Sequence, residues 1–514
     1  MKKRFNYTGL CFSDQHYMAD VSKKLARTIE MVEMGEYFII NRPRQYGKTT
    51  TLFTLSEMLK TTGDYVVFDT SFEGLGNSMF ENEAAFAQGF VSLLSQFVPS
   101  FKKWLVEERP KLHNFDELSA LITEFANKTD KKLVVMIDEV DQSSNNDLFI
   151  LFLAMLRNKY LQRGRTKTFH SVVLAGLHDI KTLKLKLRPD SEKKYNSPWN
   201  IAADFKVDMN LYPDEIKPML DEYAQDTGVT MDTKWVSERL FYYSSGYPFF
   251  VSKLCKTIAE DILPTKTEKT WTFEDIEQAV RLLMKESNTN FDTLIKSLEN
   301  DKALYDFVYR IIMEGDVILY NPDEPIILQG IIHGIFKDEG QIKIHNRLYE
   351  ERLYNYMTAK TMVAMESDYN YANHFKAENN TLNMRAAMLK FQQFMKEEFT
   401  TKDKTFLERQ GRLVFLSFLT PILNGKGYSF KEVQTSQEKR LDIIATYYQH
   451  KYIIELKRWY GEVAHEEGVA QLADYLEIHG EKIGFLVIFE HNKVKSWRSE
   501  WIEYEDKRIF AVWV

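Results

Sequence analysis

The 514-residue chain has only two cysteines, Cys11 and Cys255. Two are too few for a disulfide framework or a zinc site. No uninterrupted apolar run approaches the length that crosses a bilayer. The basic start Met1-Lys2-Lys3-Arg4 runs into Phe5-Asn6-Tyr7-Thr8-Gly9, so no secretory apolar region follows it. Positive charge is not in excess either. The formal net charge is −7, and residues 401–514 carry 17 Lys+Arg against 17 Asp+Glu. That excludes a broadly basic coat, so nucleic acid would meet local patches and bind modestly and salt-sensitively. No repeat or low-complexity tract is present. These absences predict a cytoplasmic chain without membrane contact. Hydrophobic content of 44% with 27% charged residues is globular. The length is too great for one core, and roughly two to four domains are expected.

Residues 37–59 read strand, loop, helix. Tyr37-Phe38-Ile39-Ile40 is a buried-strand run, and Leu52, Leu55 and Leu59 fall on one helical face. Between them lies Arg42-Pro43-Arg44-Gln45-Tyr46-Gly47-Lys48-Thr49-Thr50, a phosphate-binding loop whose first glycine is replaced by Arg42. Gly47 lets backbone approach phosphates at a helix N-terminus. Lys48 is placed to reach the β- and γ-phosphates of ATP, and the Thr49 hydroxyl to ligate Mg²⁺. Roughly ninety residues on, the apolar strand Leu133 to Ile137 ends in Asp138-Glu139. Asp138 is expected to support Mg²⁺ and Glu139 to activate the attacking water. Tyr65 to Phe68 and Ser171 to Leu174 supply further core strands. His178 and Asp179, beyond the last of these, are either sensor residues or plain loop. The run Lys181 to Lys194 is basic and reads as a solvated loop.

Residues 208–288 read as helices: one from Pro213, one over Trp235 to Tyr243, and one over Ser252 to Asp261 after the Gly246-Tyr247-Pro248 break. Residues 289–356 combine a helix, Ala303 to Glu314, with short β runs at Val317 to Tyr320 and Gln341 to Ile344, an order that hints at a winged helix. Residues 357–400 read as a linking helix with late apolar periodicity at Met388, Phe391 and Met395.

Near the C-terminus, Asp442 opens the apolar run Ile443-Ile444-Ala445. A second run, Tyr452-Ile453-Ile454, leads into Glu455-Leu456-Lys457. The stretch between them suits a hairpin loop near Tyr448-Gln449, which sets Asp442 across from Glu455 or Lys457. Strand alternation gives Glu455 and Lys457 one face. Two carboxylates there can hold Mg²⁺, while Lys457 orients a water or offsets developing charge. Gln471 and Tyr475, four apart, share a helical face. Upstream, Thr405 to Glu408 reads as a capping box.

The order Asp442, Glu455-x-Lys457, Gln471-x-x-x-Tyr475 resembles the helicase-associated branch of the PD-(D/E)XK nuclease superfamily. That superfamily also has a site Glu on a helix before the first strand, a place that Glu408 fits. Arg42-Pro43-Arg44-x-x-Gly47-Lys48-Thr49 with Asp138-Glu139 resembles the bacterial AAA-ATPase-like P-loop proteins, many of which carry such a nuclease domain at their C-terminus. Together these resemblances imply an α/β chain: a P-loop AAA-like core over 1–207, a helical lid over 208–288 and a winged-helix-like module over 289–356. A linking helix over 357–400 and a nuclease-like domain over 401–514 would follow. They imply ATP and Mg²⁺ as cofactors, nucleic acid, above all DNA, as partner, and room for a homo-oligomer. The sequence does not identify the arginine that would complete the ATPase transition state; Arg188 is a candidate. Two functions compete: an ATP-gated nuclease, with Glu139, Asp442, Glu455, Lys457, Gln471, Tyr475 and Glu408 catalytic, and a nucleotide-driven switch whose C-terminal domain only docks or binds DNA.

Overall fold

The computed structural model describes residues 3–143, 146–176, 201–314, 316–364, 375, 377, 381–398, 414–416, 418–419, 422–423, 427–432, 441–447, 450–459, 462–478, 480–490 and 495–514. Two compact units are formed. The first comprises Met1–Leu294, Pro322–Lys337 and Ile344–Leu348, and the second Ile295–Asn321, Asp338–Lys343 and Tyr349–Val514.

The first unit is built on four parallel strands, β1 (Tyr37–Asn41), β2 (Tyr65–Ser71), β3 (Lys132–Asp138) and β4 (Ser171–Gly176), in the order β1-β4-β3-β2. Parallel strands covered on both faces read as continuous apolar runs, and β3 and β4 do so. Helices α1 (Ser22–Glu33), α2 (Lys48–Thr62), α3 (Glu83–Ser95), α4 (Lys102–Glu108), α5 (Phe115–Asn127) and α6 (Asn146–Gln162) surround the sheet. Leu52, Leu55 and Leu59 of α2 are buried, as their spacing predicts. Phe68, Phe72, Phe86, Phe90 and Phe152 belong to one aromatic-rich core. Strand order puts β4 between the loop-bearing β1 and the carboxylate-bearing β3, so the ends of all three strands converge.

The helical region follows with α7 (Pro213–Thr227), α8 (Thr233–Ser244), α9 (Pro248–Thr257) and α10 (Phe273–Lys285). Helix α9 begins at Pro248, earlier than the break at Gly246 to Pro248 suggests. Proline sits at the first helical position, where its missing N–H costs nothing. Downstream lie α11 (Thr289–Glu299), α12 (Lys302–Tyr309), α13 (Pro325–Ile332) and α14 (Arg347–Ala364). Phe336–Asp338 (β5) and Ile342–Ile344 (β6) make a two-stranded sheet. The expected strand at Val317 to Tyr320 reduces to one isolated bridge, Leu319 to Gln341, and Val317 and Leu319 stay exposed.

The second unit carries a six-stranded mixed sheet ordered β11-β12-β10-β9-β8-β7. Its strands are β7 (Gly427–Glu432), β8 (Leu441–Tyr447), β9 (His450–Arg458), β10 (Ile483–Phe489), β11 (Ser499–Tyr504) and β12 (Lys507–Trp513). β7, β8 and β9 form an antiparallel meander, and β9, β10 and β12 run parallel. Helix α16 (Glu462–Ile478) is the crossover between β9 and β10. The stretch read as a link contains α15 (Met384–Glu398), whose Met388, Phe391 and Met395 are all buried within this unit. Among the described residues no helix is long and apolar enough to cross a membrane.

Candidate functional site

Chain direction at the end of β1 is set by two residues with positive φ, Gln45 (+58°) and Gly47 (+79°). Such alternation turns successive N–H groups inward to form an anion-binding nest. A Cβ built on Gly47 meets nothing within 4 Å, so the glycine is required by backbone conformation and not by crowding. Helix α2 starts at Lys48 with no side chain capping its N-terminus. Lys48 is 5% exposed, and its Nζ donates to the carbonyls of Arg42 and Pro43, both at 3.0 Å. Burial lowers its pKa, against the opposing pull of Glu139 and Asp138. The Thr49 hydroxyl donates to Asp138 Oδ2 at 2.6 Å, joining residues 89 positions apart. The other carboxylate oxygen of Asp138 accepts the Glu139 N–H at 2.9 Å. Glu139 itself has φ +50°, an uncommon conformation for a residue with a Cβ. Burial raises its carboxyl above the usual range, with Lys48 opposing. A hydroxyl and a carboxylate suited to sharing Mg²⁺ thus face a buried lysine and a high-pKa carboxyl, and these groups fit a nucleotide's phosphates and its metal.

The rest of the loop is clasped from outside. The Arg42 guanidinium donates to the carbonyls of Asn41 and Val207, both at 2.8 Å, and lies over Phe205. Its side chain is therefore engaged with backbone carbonyls. Pro43 packs against Gly334, where a Cβ would come within 2.5 Å of the proline ring. Arg44 is exposed, and its carbonyl accepts the Tyr247 hydroxyl at 2.6 Å. Gln45 donates to Thr289 at 2.9 Å. Buried Tyr46 stacks edge-on with Tyr247, donates its hydroxyl to Asn210, and lies 2.9 Å from His345 Nε2. The Thr50 hydroxyl accepts the Cys11 N–H at 3.3 Å. Apart from Asn41, none of these partners forms a sequence motif with the loop; they come from residues far along the chain. Gly176, which ends β4, likewise carries no local signal of its role in sequence, although a Cβ there would meet Asp141 Oδ1 at 2.7 Å.

In the second unit, β8 and β9 pair with Asp442 directly opposite Glu455. Opposed Cα atoms in an antiparallel pair lie about 5 Å apart. Glu455 is 2% exposed, and its Oε1 lies 3.3 Å from Lys457 Nζ. Lys457 Nζ also donates to Gln471 Oε1 at 3.2 Å. Tyr475, one turn further along α16, is buried in the core shared with Ile453 and Leu472. Glu455, Lys457 and Gln471 are therefore brought together. A residue that sequence reading passed over makes this possible. Gly468 faces Lys457 so closely that an added Cβ would come within 2.2 Å of Nζ. A glycine inside a helix costs about 1 kcal/mol relative to alanine, and this unexplained cost was the available signal. Among the described residues, no group of three or more His, Cys, Asp or Glu side chains is arranged to hold a metal.

Glu408, His178, Asp179, Arg188 and the run Lys181 to Lys194 lie outside the described residues, as does the hairpin tip at 448–449. No protein-family model matches the chain, and no curated protein matches it. Among solved structures it is similar to a Walker-type ATPase of Pyrococcus abyssi at 11% identity, with a TM-score of 0.46 and coverage of 68% of this chain and 99% of that one. It is similar to the ORC2 protein of Aeropyrum pernix at 14% identity and a TM-score of 0.38, covering 71% and 99%. A RuvB variant of Thermotoga maritima is similar at 16% identity and a TM-score of 0.33, covering 67% and 96%.

Proposed function

We propose that this chain binds and hydrolyses ATP in its N-terminal unit, and that its nucleotide state gates Mg²⁺-dependent phosphodiester cleavage of nucleic acid, DNA above all, by its C-terminal unit. The observation that carries the reading is the Thr49–Asp138 hydrogen bond beside buried Lys48, which brings two motifs distant in sequence together. Lys48 would exchange the carbonyls of Arg42 and Pro43 for the β- and γ-phosphates. Thr49 and Asp138 would hold Mg²⁺, which supplies charge neutralisation on the phosphates when bound. Glu139, with its raised carboxyl pKa, is suited to take a proton from the attacking water. In the C-terminal unit, Asp442 and Glu455 would ligate the metal, and Lys457, steadied by Gln471, would orient water or offset charge on the phosphate. Tyr475 supports that helix face from the core.

Incubating the purified protein with linear and circular DNA, with and without ATP and Mg²⁺, tests the reading. Metal-dependent cutting that responds to ATP is expected. No cutting under any condition would reject the nuclease half. One observation favours a second reading, a nucleotide-driven switch with a non-catalytic C-terminal domain. The Glu455–Lys457 pair is charge-balanced by itself, as a purely structural buried ion pair is. Under this reading ATP is bound and hydrolysed, and DNA stays intact.

A further inference from the structure

Beyond Lys457, the stripe of residues facing α16 continues by one more tier that the proposed chemistry leaves unused. Trp459 follows Glu455 and Lys457 at strand spacing, about 6.6 Å past Lys457 along the strand direction. On α16, His465 precedes Gly468 by three residues and so lies on the same helical face. The His465 ring packs against two indoles that also touch each other, 5.6 Å from Trp459 and 5.3 Å from Trp513, with 6.2 Å between the indoles. Its nitrogens make no hydrogen bond among the described residues, and burial, then the charge of Arg498, lowers its pKa. The Arg498 guanidinium lies over Trp513, 4.0 Å from the ring centre, with Trp459 at 5.3 Å. Its backbone is fixed as well. The Arg498 carbonyl accepts Trp513 N–H at 3.0 Å and the Gln392 side-chain amide at 2.8 Å. Yet Arg498 is exposed and makes no ion pair among the described residues.

A planar cation seated over an aromatic ring, exposed and in no ion pair among the described residues, suits an anion with oxygen acceptors, which would compete with the charges of Glu500 and Glu466 that also reach His465. We propose that Arg498 and His465 form a phosphate subsite that grips the nucleic-acid backbone beside the Glu455–Lys457 pair. For the identity of the ligand, the proposal rests on the nuclease reading. Its location one tier from Lys457 suits a phosphate neighbouring the scissile one. Trp459 and Trp513 act as the platform that positions Arg498 and His465, and they do not read sequence.

The test separates binding from cutting. Full-length Glu455→Gln protein in EDTA is titrated against fluorescein-labelled single- and double-stranded DNA, and anisotropy is followed over a salt series. Arg498→Ala in that background should weaken binding about tenfold and reduce the salt slope by about one. Arg498→Lys, which keeps the charge without the planar fork, should fall between. His465→Gln should cost a few-fold. Unchanged melting temperatures confirm that the folds are comparable. Equal affinity and slope for Arg498→Ala and its parent overturn the subsite, as does absence of DNA binding by the parent. Arg498-dependent binding with no cutting by the native chain retains the subsite and rejects only the nuclease chemistry.

Discussion

The two candidate sites achieve positioning by opposite means. In the N-terminal unit the surface proposed to meet phosphates is mainly backbone, namely a turn set by Gln45 and Gly47 and the uncapped start of α2. Only Lys48, Thr49, Asp138 and Glu139 contribute side-chain chemistry. In the C-terminal unit the chemistry sits entirely on side chains, Glu455 and Lys457 on one strand and Gln471 on the facing helix. A backbone site is specified by conformation, so it needs a contiguous run of residues with particular φ values. A side-chain site is specified by packing between elements, so its members scatter and its fit depends on residues such as Gly468. Tolerance to change should differ accordingly. The first site should fail when a charge is deleted, and the second also when a neighbour merely grows.

The largest expected effect tests whether the C-terminal site is chemical at all. Asp442→Asn removes a negative charge at nearly constant volume and should lower DNA cutting by about a thousandfold or more, with ATP turnover unaltered. Retained cutting would reduce that site to a structural ion pair, and the comparison would lose one side.

The next effect is on stability and belongs to the clasp around the first site. Burial lowers the His345 pKa from 6.5 to about 4. A base with a depressed folded pKa leaves the unfolded chain binding more protons between those values. Its stabilisation is thus complete above about pH 6.5 and is lost as pH falls toward about 4, on the order of 3 kcal/mol in all. The hydrogen bonds agree with a neutral ring. The Tyr46 hydroxyl donates to Asn210, so Nε2–H donates to Tyr46, and Nδ1 accepts the Asn346 amide. Replacing His345 with Gln should flatten the fall in melting temperature between pH 6.5 and 4, and an unchanged pH profile would remove His345 as its source.

Lys48→Ala should weaken ATP binding by roughly ten- to a hundredfold, the range for a charged hydrogen-bonding group. Glu139→Gln should keep affinity and stop hydrolysis, since it leaves the phosphate cradle whole. Calorimetry decides the first point and phosphate release the second. Gly468→Ala has the smallest effect and sharpens the comparison most. The three atoms nearest the added methyl all belong to the flexible end of Lys457, and helix propensity improves, so stability should change little. Lys457 is nevertheless displaced from Gln471, and cutting should drop about tenfold through misplacement. A loss of stability without a loss of cutting would contradict that account.

Legibility in the sequence follows the same division. The loop at 42–50, the apolar strand ending in Asp138-Glu139, and the buried stripe Leu52, Leu55, Leu59 could be read because local runs specify them. The pairing of Asp442 with Glu455 could be read because alternation and a short hairpin fix register. The partners of Tyr46 could not, since nothing local in Asn210, Tyr247 or His345 indicates that they meet it. The outer strands β10 to β12 and the packing of α15 were also illegible. An apolar run discloses burial but not the surface against which it is buried. Arg42 shows the limit in the other direction: its place in the motif suggested phosphate contact, and its guanidinium lies on the carbonyls of Asn41 and Val207.

The clasp around Tyr46 governs how this protein can be cut into pieces for study. A fragment ending at residue 207 retains Lys48, Thr49, Asp138 and Glu139, yet it strips Asn210, Tyr247 and His345 from Tyr46 and the Gly334 backing from Pro43. Such a fragment would carry an intact motif on a loop whose outer wall has been removed. A piece that keeps that wall has to extend at least through His345, and one that keeps the whole first unit through Leu348.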